Sequence, residues 1–147
     1  MTRKQKTVTK VLELKGYTQE QLKLEVKKAR DAYHHEKDKL DSLEEELKVH
    51  HDEFILKQSR SSIGIRDMDL FYLYFEHLDK LVEQQKKCVL VRQLELDEKM
   101  KAMHEAYKEQ RLMEILHGRI AHEELRVAIQ GAQKEMDYQF LSRRARR

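Results

Sequence analysis

This sequence predicts an all-α fold: two long helices in an antiparallel coiled-coil hairpin, the second helix longer than the first. Three observations carry that expectation. The chain of 147 residues has no proline and four glycines, and Glu, Lys, Leu, Gln and Arg dominate it, which is the composition of long helices. Apolar residues recur at alternating steps of four and three along the first half, the repeat of a coiled-coil seam. One stretch, SRSSIGIRDMD from Ser59 to Asp69, interrupts this pattern with serine, glycine and aspartate, residues that favour turns and helix caps.

With 39% charged residues and a mean hydropathy of -0.86, the chain has too little apolar material for a thick core, so the fold must be thin. Disorder is the first alternative for so polar a chain. Against it, the 30 basic and 27 acidic side chains nearly balance, and the apolar residues are periodic rather than scarce. Cys88 is the one cysteine, which rules out an internal disulfide and suits a reducing compartment. The longest apolar runs, LFYLYF (Leu70 to Phe75) and CVLV (Cys88 to Val91), fall far short of the roughly 20 residues that span a bilayer. The basic start, MTRKQKTVTKVLELKGYT, lacks the apolar segment of a secretory signal. The expectation is a cytoplasmic protein with no membrane helix.

The first helix is expected at about residues 7–58. Its seam runs Leu22, Val26, Ala29, Tyr33, Glu36, Leu40, Leu43, Leu47, His50 and Phe54. Glu36 and His50 are the polar exceptions, and polar residues at such positions fix register. Upstream the repeat loosens, because Lys15 and Gln19 would fall on the seam. Gly16 offers a C-cap, and Thr18 with Gln21 a capping box. Either a short helix ends at Lys15 and another starts near Thr18, or one helix runs through at a cost of about 1 kcal/mol for the glycine; the continuous helix is the expectation.

The interruption, about residues 59–68, is read as the turn. After it Asp67 or Asp69 serves as N-cap, and the second helix runs to about residue 141. Its stripe passes through Phe71, Tyr74, Leu78, Leu81, Gln85, Cys88, Arg92, Leu96, Met100, Met103, Tyr107 and Gln110. Residues 142–147 form a basic tail. Glu44 with Lys48, Glu53 with Lys57, Glu76 with Lys80, Glu83 with Lys87, Glu95 with Lys99, and Asp97 with Lys101 stand four apart as a solvated charged face. Folded as a hairpin, the second helix protrudes by roughly 20 residues past the first. No internal repeat and no second domain is evident in 1–147.

Nothing in the sequence assembles a catalytic constellation. There is no glycine-rich phosphate loop and no nucleophile elbow, and two helices form no deep cleft. No catalytic, metal-binding or cofactor-binding residues are expected, and no cofactor. A dimetal helical site needs two Glu-x-x-His motifs, and only Glu114 with His117 has that spacing. His34 with His35, and His50 with His51, are adjacent and diverge around a helix. Cys88, on the apolar stripe, is expected to be a small buried hydrophobe.

Charge is unevenly placed. Residues 1–15 carry five basic groups and one acid, Arg143, Arg144, Arg146 and Arg147 add four more positive charges, and the body between is net acidic. A hairpin should gather both termini into one basic pole above an acidic shaft. No aromatic residue interleaves the tail arginines, so nucleic acid is not the expected partner.

VLELK (Val11 to Lys15), the heptad helix, the polar turn, LYFEHLDKLVEQQ (Leu73 to Gln85) and the closing KEMDYQFLSRRARR (Lys134 to Arg147) resemble the FliJ family of flagellar type III export proteins. The related YscO family of virulence secretion systems is similar in plan. The resemblance covers nearly the whole chain. It implies a non-enzymatic stalk-like coiled coil that binds the hexameric export ATPase and the cytoplasmic domain of the export gate, links ATP hydrolysis to export, and helps recycle export chaperones. It also implies a location at the cytoplasmic face of the inner membrane, with no insertion into the bilayer. By this resemblance Leu125, Met136, Phe140, Arg143, Arg144, Arg146 and Arg147 contact the ATPase ring. Leu43, Leu47, His50, Tyr74, Leu78, Leu81 and Gln85 contact the gate; among these the leucines also serve as hairpin seam, leaving Tyr74, Gln85 and His50 as the outward-facing members. A generic self-associating scaffold is the alternative.

Overall fold

The computed structural model describes residues 2–60 and 64–147. It consists of two α-helices, α1 (Arg3–Arg60) and α2 (Ile65–Ala145), of 58 and 81 residues. They pair as an antiparallel hairpin, as expected, and the described residues contain no strand.

Both helices start earlier than the spacing suggested. Thr2 caps α1: its carbonyl accepts the Lys6 N–H at 3.1 Å, and its hydroxyl accepts the Gln5 N–H at 3.4 Å, as an N-cap threonine does. The first turn of α1 holds no acid, although the helix dipole favours one there. An acid arrives from α2 instead, where the Glu124 carboxylate accepts the Thr2 hydroxyl. At the head of α2 the Gly64 carbonyl accepts the Met68 N–H at 3.1 Å. This makes Gly64 the cap residue and corrects the expectation for Asp67 and Asp69, both of which are helical; Asp67 lies in the first turn, where its charge complements the dipole. Ser59 and Arg60 are still helical, and Ser59 donates its hydroxyl back to the Leu56 carbonyl at 2.9 Å. The turn is therefore shorter than 59–68, and Ser61, Ser62 and Ile63 within it lie outside the described residues.

α1 runs unbroken through Gly16, whose φ is negative. Thr18 caps nothing. It donates to the Leu14 carbonyl at 3.0 Å, the back-bonding of a mid-helix threonine.

The helices pair within two compact units. In the unit Leu22–Ala102 every expected seam position of α1 is at least half-buried. The core comprises Val26, Leu40 and Phe54 from α1 and Leu78, Val82 and Val89 from α2, with Leu78 only 1% exposed. Tyr33, Leu43 and Leu47 pack around Leu40, Val82 and Val89.

The α2 stripe here departs from the expected one by a single position. From Phe71 the buried face steps to Phe75, Leu78, Val82, Gln85 and Val89, a 4-3-4-3-4 sequence where 3-4-3-4-3 was expected. Tyr74 and Cys88 consequently face out, Arg92 is exposed as well, and Leu81 shares its burial with Val82. The cause is the unsatisfied polar atom: Phe75, Val82 and Val89 are wholly apolar, whereas a buried Tyr74 would need a partner for its hydroxyl.

The second unit comprises residues up to Gln21 together with Met103–Arg147. Val8 is its buried residue among those described, flanked by half-buried Leu12, Lys15 and Gln19, so the repeat does continue upstream through the polar positions. On α2 the facing stripe is Met103, Ala106, Gln110, Met113, His117 and Ile120, with Ala106 replacing the expected Tyr107, which is exposed. Polar contacts supplement the thin apolar seam: Lys15 Nζ pairs with Glu109 at 2.9 Å, and the Thr9 hydroxyl meets His117 Nε2 at 3.5 Å.

None of the six expected i,i+4 pairs forms among the described residues. Glu83 and Glu95 pair instead with Lys86 and Arg92 three residues away, and Lys99 reaches Glu25 on α1 at 3.2 Å.

Candidate interaction surfaces

Two surfaces collect the candidate residues: one in the unit Leu22–Ala102 near the turn, the other on the last part of α2.

Near the turn an aromatic cluster replaces the aliphatic seam. The Phe54 ring packs against Phe71 at 5.2 Å and Phe75 at 6.0 Å. His50 sits against Phe71, Tyr74 and Phe75 at 4.9, 4.4 and 4.6 Å. Its Nε2 lies 3.4 Å from the Phe71 carbonyl, and Lys57 Nζ lies 5.0 Å over the Phe71 ring, a cation–π distance. His50 is thus engaged inside the hairpin, which corrects its expected outward role.

Gln85 is corrected in the same way. Its Nε2 donates to both the carbonyl and the carboxylate of Glu36, at 2.9 and 2.5 Å. The hydrogen bond from Gln85 is the main reason the Glu36 carboxyl is held below its ordinary value; partial burial opposes the shift, and nearby Lys39, His35 and Arg92 reinforce it. Glu36 and Gln85 are both seam residues, so this pair specifies how α1 and α2 align.

Of the remaining gate candidates, Leu78 is fully enclosed, and Leu43, Leu47 and Leu81 are half-buried in the seam. Tyr74, 44% exposed, is the member open to a partner.

Beside these residues run grooves that the spacing did not disclose. The larger, about 1000 Å³, has a floor of Leu47, Tyr72, Leu73 and Phe75 and a rim of Glu44, Asp69, Glu76 and Asp79, with Lys48 and His51 also at its edge. A second, about 700 Å³, is lined by Asp41, Glu45, Glu46 and Glu53 around Val49, His50 and Tyr74. Both combine apolar side chains with carboxylates. The available signal was the 4-3-3 spacing of Asp69, Leu73, Glu76 and Asp79, which places one apolar residue among three acids on one face of α2.

The second surface begins where Glu124 meets Thr2. Beyond it, through Ala145, no hydrogen bond or ion pair joins α2 to α1 among the described residues, and nearly every residue is exposed. Leu125, Met136 and Phe140 are 60, 70 and 66% exposed. With Ile129 and Ala132 they form one stripe at 4-3-4-4 spacing. Arg143 and Arg144 occupy the last turn of α2, and Arg146 and Arg147 follow it, all exposed.

The expected single basic pole is two separate stations. Arg3, Lys4 and Lys6 lie beside the Glu124 region, whereas Arg143 is about 28 Å further along α2, several times the roughly 8 Å screening length at physiological salt.

Other candidates resolve as follows. Glu114 pairs with Arg111, and His117 with Thr9. The described residues contain no group of three His, Cys, Asp or Glu side chains placed to hold a metal. Cys88 is exposed, beside Lys87 and Arg92. Among the described residues no helix is long and apolar enough to cross a membrane. Compared with protein-family models, curated proteins and solved structures, the chain matches none.

Proposed function

We propose that this chain is a non-enzymatic, stalk-like component of a flagellar type III protein export apparatus. The observation that carries the proposal is the α2 extension. A helix that leaves its partner at Glu124 and continues as an exposed apolar stripe ending in four arginines is built for a second surface. An ATPase ring supplies such a surface if its lumen combines apolar and acidic side chains. Leu125, Met136 and Phe140 would insert, while Arg143, Arg144, Arg146 and Arg147 would orient the entry.

Near the turn Tyr74 and the acid-rimmed grooves would meet the export gate, coupling ATP hydrolysis to substrate entry; export chaperones are further partners. The protein would act in the cytoplasm at the inner-membrane face of the apparatus. The equivalent stalk of a virulence secretion system is the variant of this reading. The resemblance of LYFEHLDKLVEQQ and KEMDYQFLSRRARR to the FliJ family supports it alongside the hairpin fold.

The test is ATP hydrolysis and light-scattering mass of the cognate export ATPase with and without the protein, with a chain truncated after Phe140 as control. Full-length protein should raise the rate and shift the ATPase toward hexamers, and the truncation should do neither. If a folded, helical full-length chain moves neither quantity, ring activation is wrong.

A further inference from the structure

The two exposed surfaces complement each other, and we infer that they dock between molecules: the α2 extension of one copy lies in the acid-rimmed groove of a second copy. This concerns the chain alone, and it stands or falls independently of the export-apparatus reading.

Three observations converge. The first is charge. The groove rim presents four carboxylates against Lys48, while residues 136–147, the end of the extension, carry four basic side chains and one acidic one. Pairing extension with groove brings opposite charges together; pairing two extensions would bring like charges together. The second is apolar complementarity. Of the groove lining Tyr72 and Leu73 are exposed, as are Met136 and Phe140 on the stripe, and a helix laid in the furrow between two others buries such a stripe.

The third is length. Asp69 to Asp79 extends about 15 Å along α2, and Met136 to Ala145, the last turns of the helix, about 14 Å, so the end of α2 fits the furrow with Arg143 and Arg144 against its acid rim.

A contact of this kind is heterologous: each copy offers a groove and an extension, so association continues head to tail rather than stopping at a symmetric dimer. Three turns of helix make a small interface, at the weak and concentration-dependent end of the range. While assembled, each chain covers the extension and groove that other partners would need.

The test is sedimentation equilibrium of the full-length chain over a wide concentration range, with three variants whose altered side chains are exposed. Wild type should rise above its monomer mass of 17.8 kDa as concentration increases, and fall back as salt is added. Phe140→Ala should weaken association. The groove reversal Glu76→Lys/Asp79→Lys and the tail reversal Arg143→Glu/Arg144→Glu should each weaken it by about tenfold or more. Mixing the two reversal proteins should restore it, because each then meets an opposite charge. A wild type that remains monomeric throughout overturns the inference. So does association that persists unchanged in both reversal proteins, or reversal proteins that fail to associate when mixed although each is as helical as wild type.

Discussion

The same two helices are fastened differently in the two units. In Leu22–Ala102 six apolar side chains from both helices are buried among the described residues, and the polar pair Glu36–Gln85 sits within the seam. In the unit made of residues up to Gln21 with Met103–Arg147, Val8 alone is buried among the described residues, and Lys15–Glu109, Thr9–His117 and Thr2–Glu124 do the remaining joining. Exposed ion pairs of the Lys15–Glu109 kind contribute little, so hairpin stability concentrates near the turn. The difference shows what each unit contributes: the tightly packed one fixes the alignment of the helices, and the lightly fastened one carries the exposed end of α2, the part expected to open most readily.

The largest expected effect that tests this comparison is a pair of core truncations. Leu78→Ala should cost about 3 kcal/mol and Val8→Ala about 1 kcal/mol, read from urea midpoints. Hydrogen exchange should show Leu78→Ala accelerating amides throughout Leu22–Ala102 and Val8→Ala accelerating only the first turns of α1. Equal costs would mean that the two units are equally fastened.

A smaller effect is expected with acid. The Glu36 carboxyl is depressed in the folded state below its ordinary value of 4.5, so its contribution is present above that value and disappears as pH falls through the lower, folded one. Wild type should therefore lose part of its stability on acidification below the ordinary Glu range, and Gln85→Ala should show a shallower loss over the same window. Glu123 is also depressed, chiefly by its bond to Arg126, but that pair lies within α2 and spans no helix interface. By the same linkage Glu123→Gln should also flatten the acid loss wherever the end of α2 unfolds together with the hairpin; an unchanged profile would show that this end unfolds separately.

The smallest effect has the opposite sign. A Cβ placed on Gly16 meets nothing within 4 Å, and its φ suits any residue. Gly16→Ala should raise stability by about 0.5–1 kcal/mol, with the gain visible as slower exchange in the first half of α1. No gain there would mean that α1 opens as a single unit rather than fraying from its start.

The fold class and the α1 seam were legible in the sequence because a 3.5-residue repeat needs no knowledge of its partner. The α2 seam was legible to within one position and no closer. LFYLYF and CVLV are apolar on adjacent faces, so two phases fit the periodicity equally, and only the cost of burying the Tyr74 hydroxyl separates them. The roles of His50 and Gln85 were hidden for a different reason. Their partners, Phe71 and Glu36, stand 21 and 49 positions away, and no local spacing reports a contact across the hairpin. The grooves were hidden likewise, since each draws its lining from both helices.

The one-position offset along α2 has a consequence for how such a surface changes over generations. Tyr74, Cys88 and Tyr107 form an outward phase interleaved with the inward phase of Phe75, Val89 and Ala106. Replacing an outward residue leaves the buried one beside it untouched. The outward phase can therefore be rewritten while the buried phase, and with it the pairing of the helices, is kept.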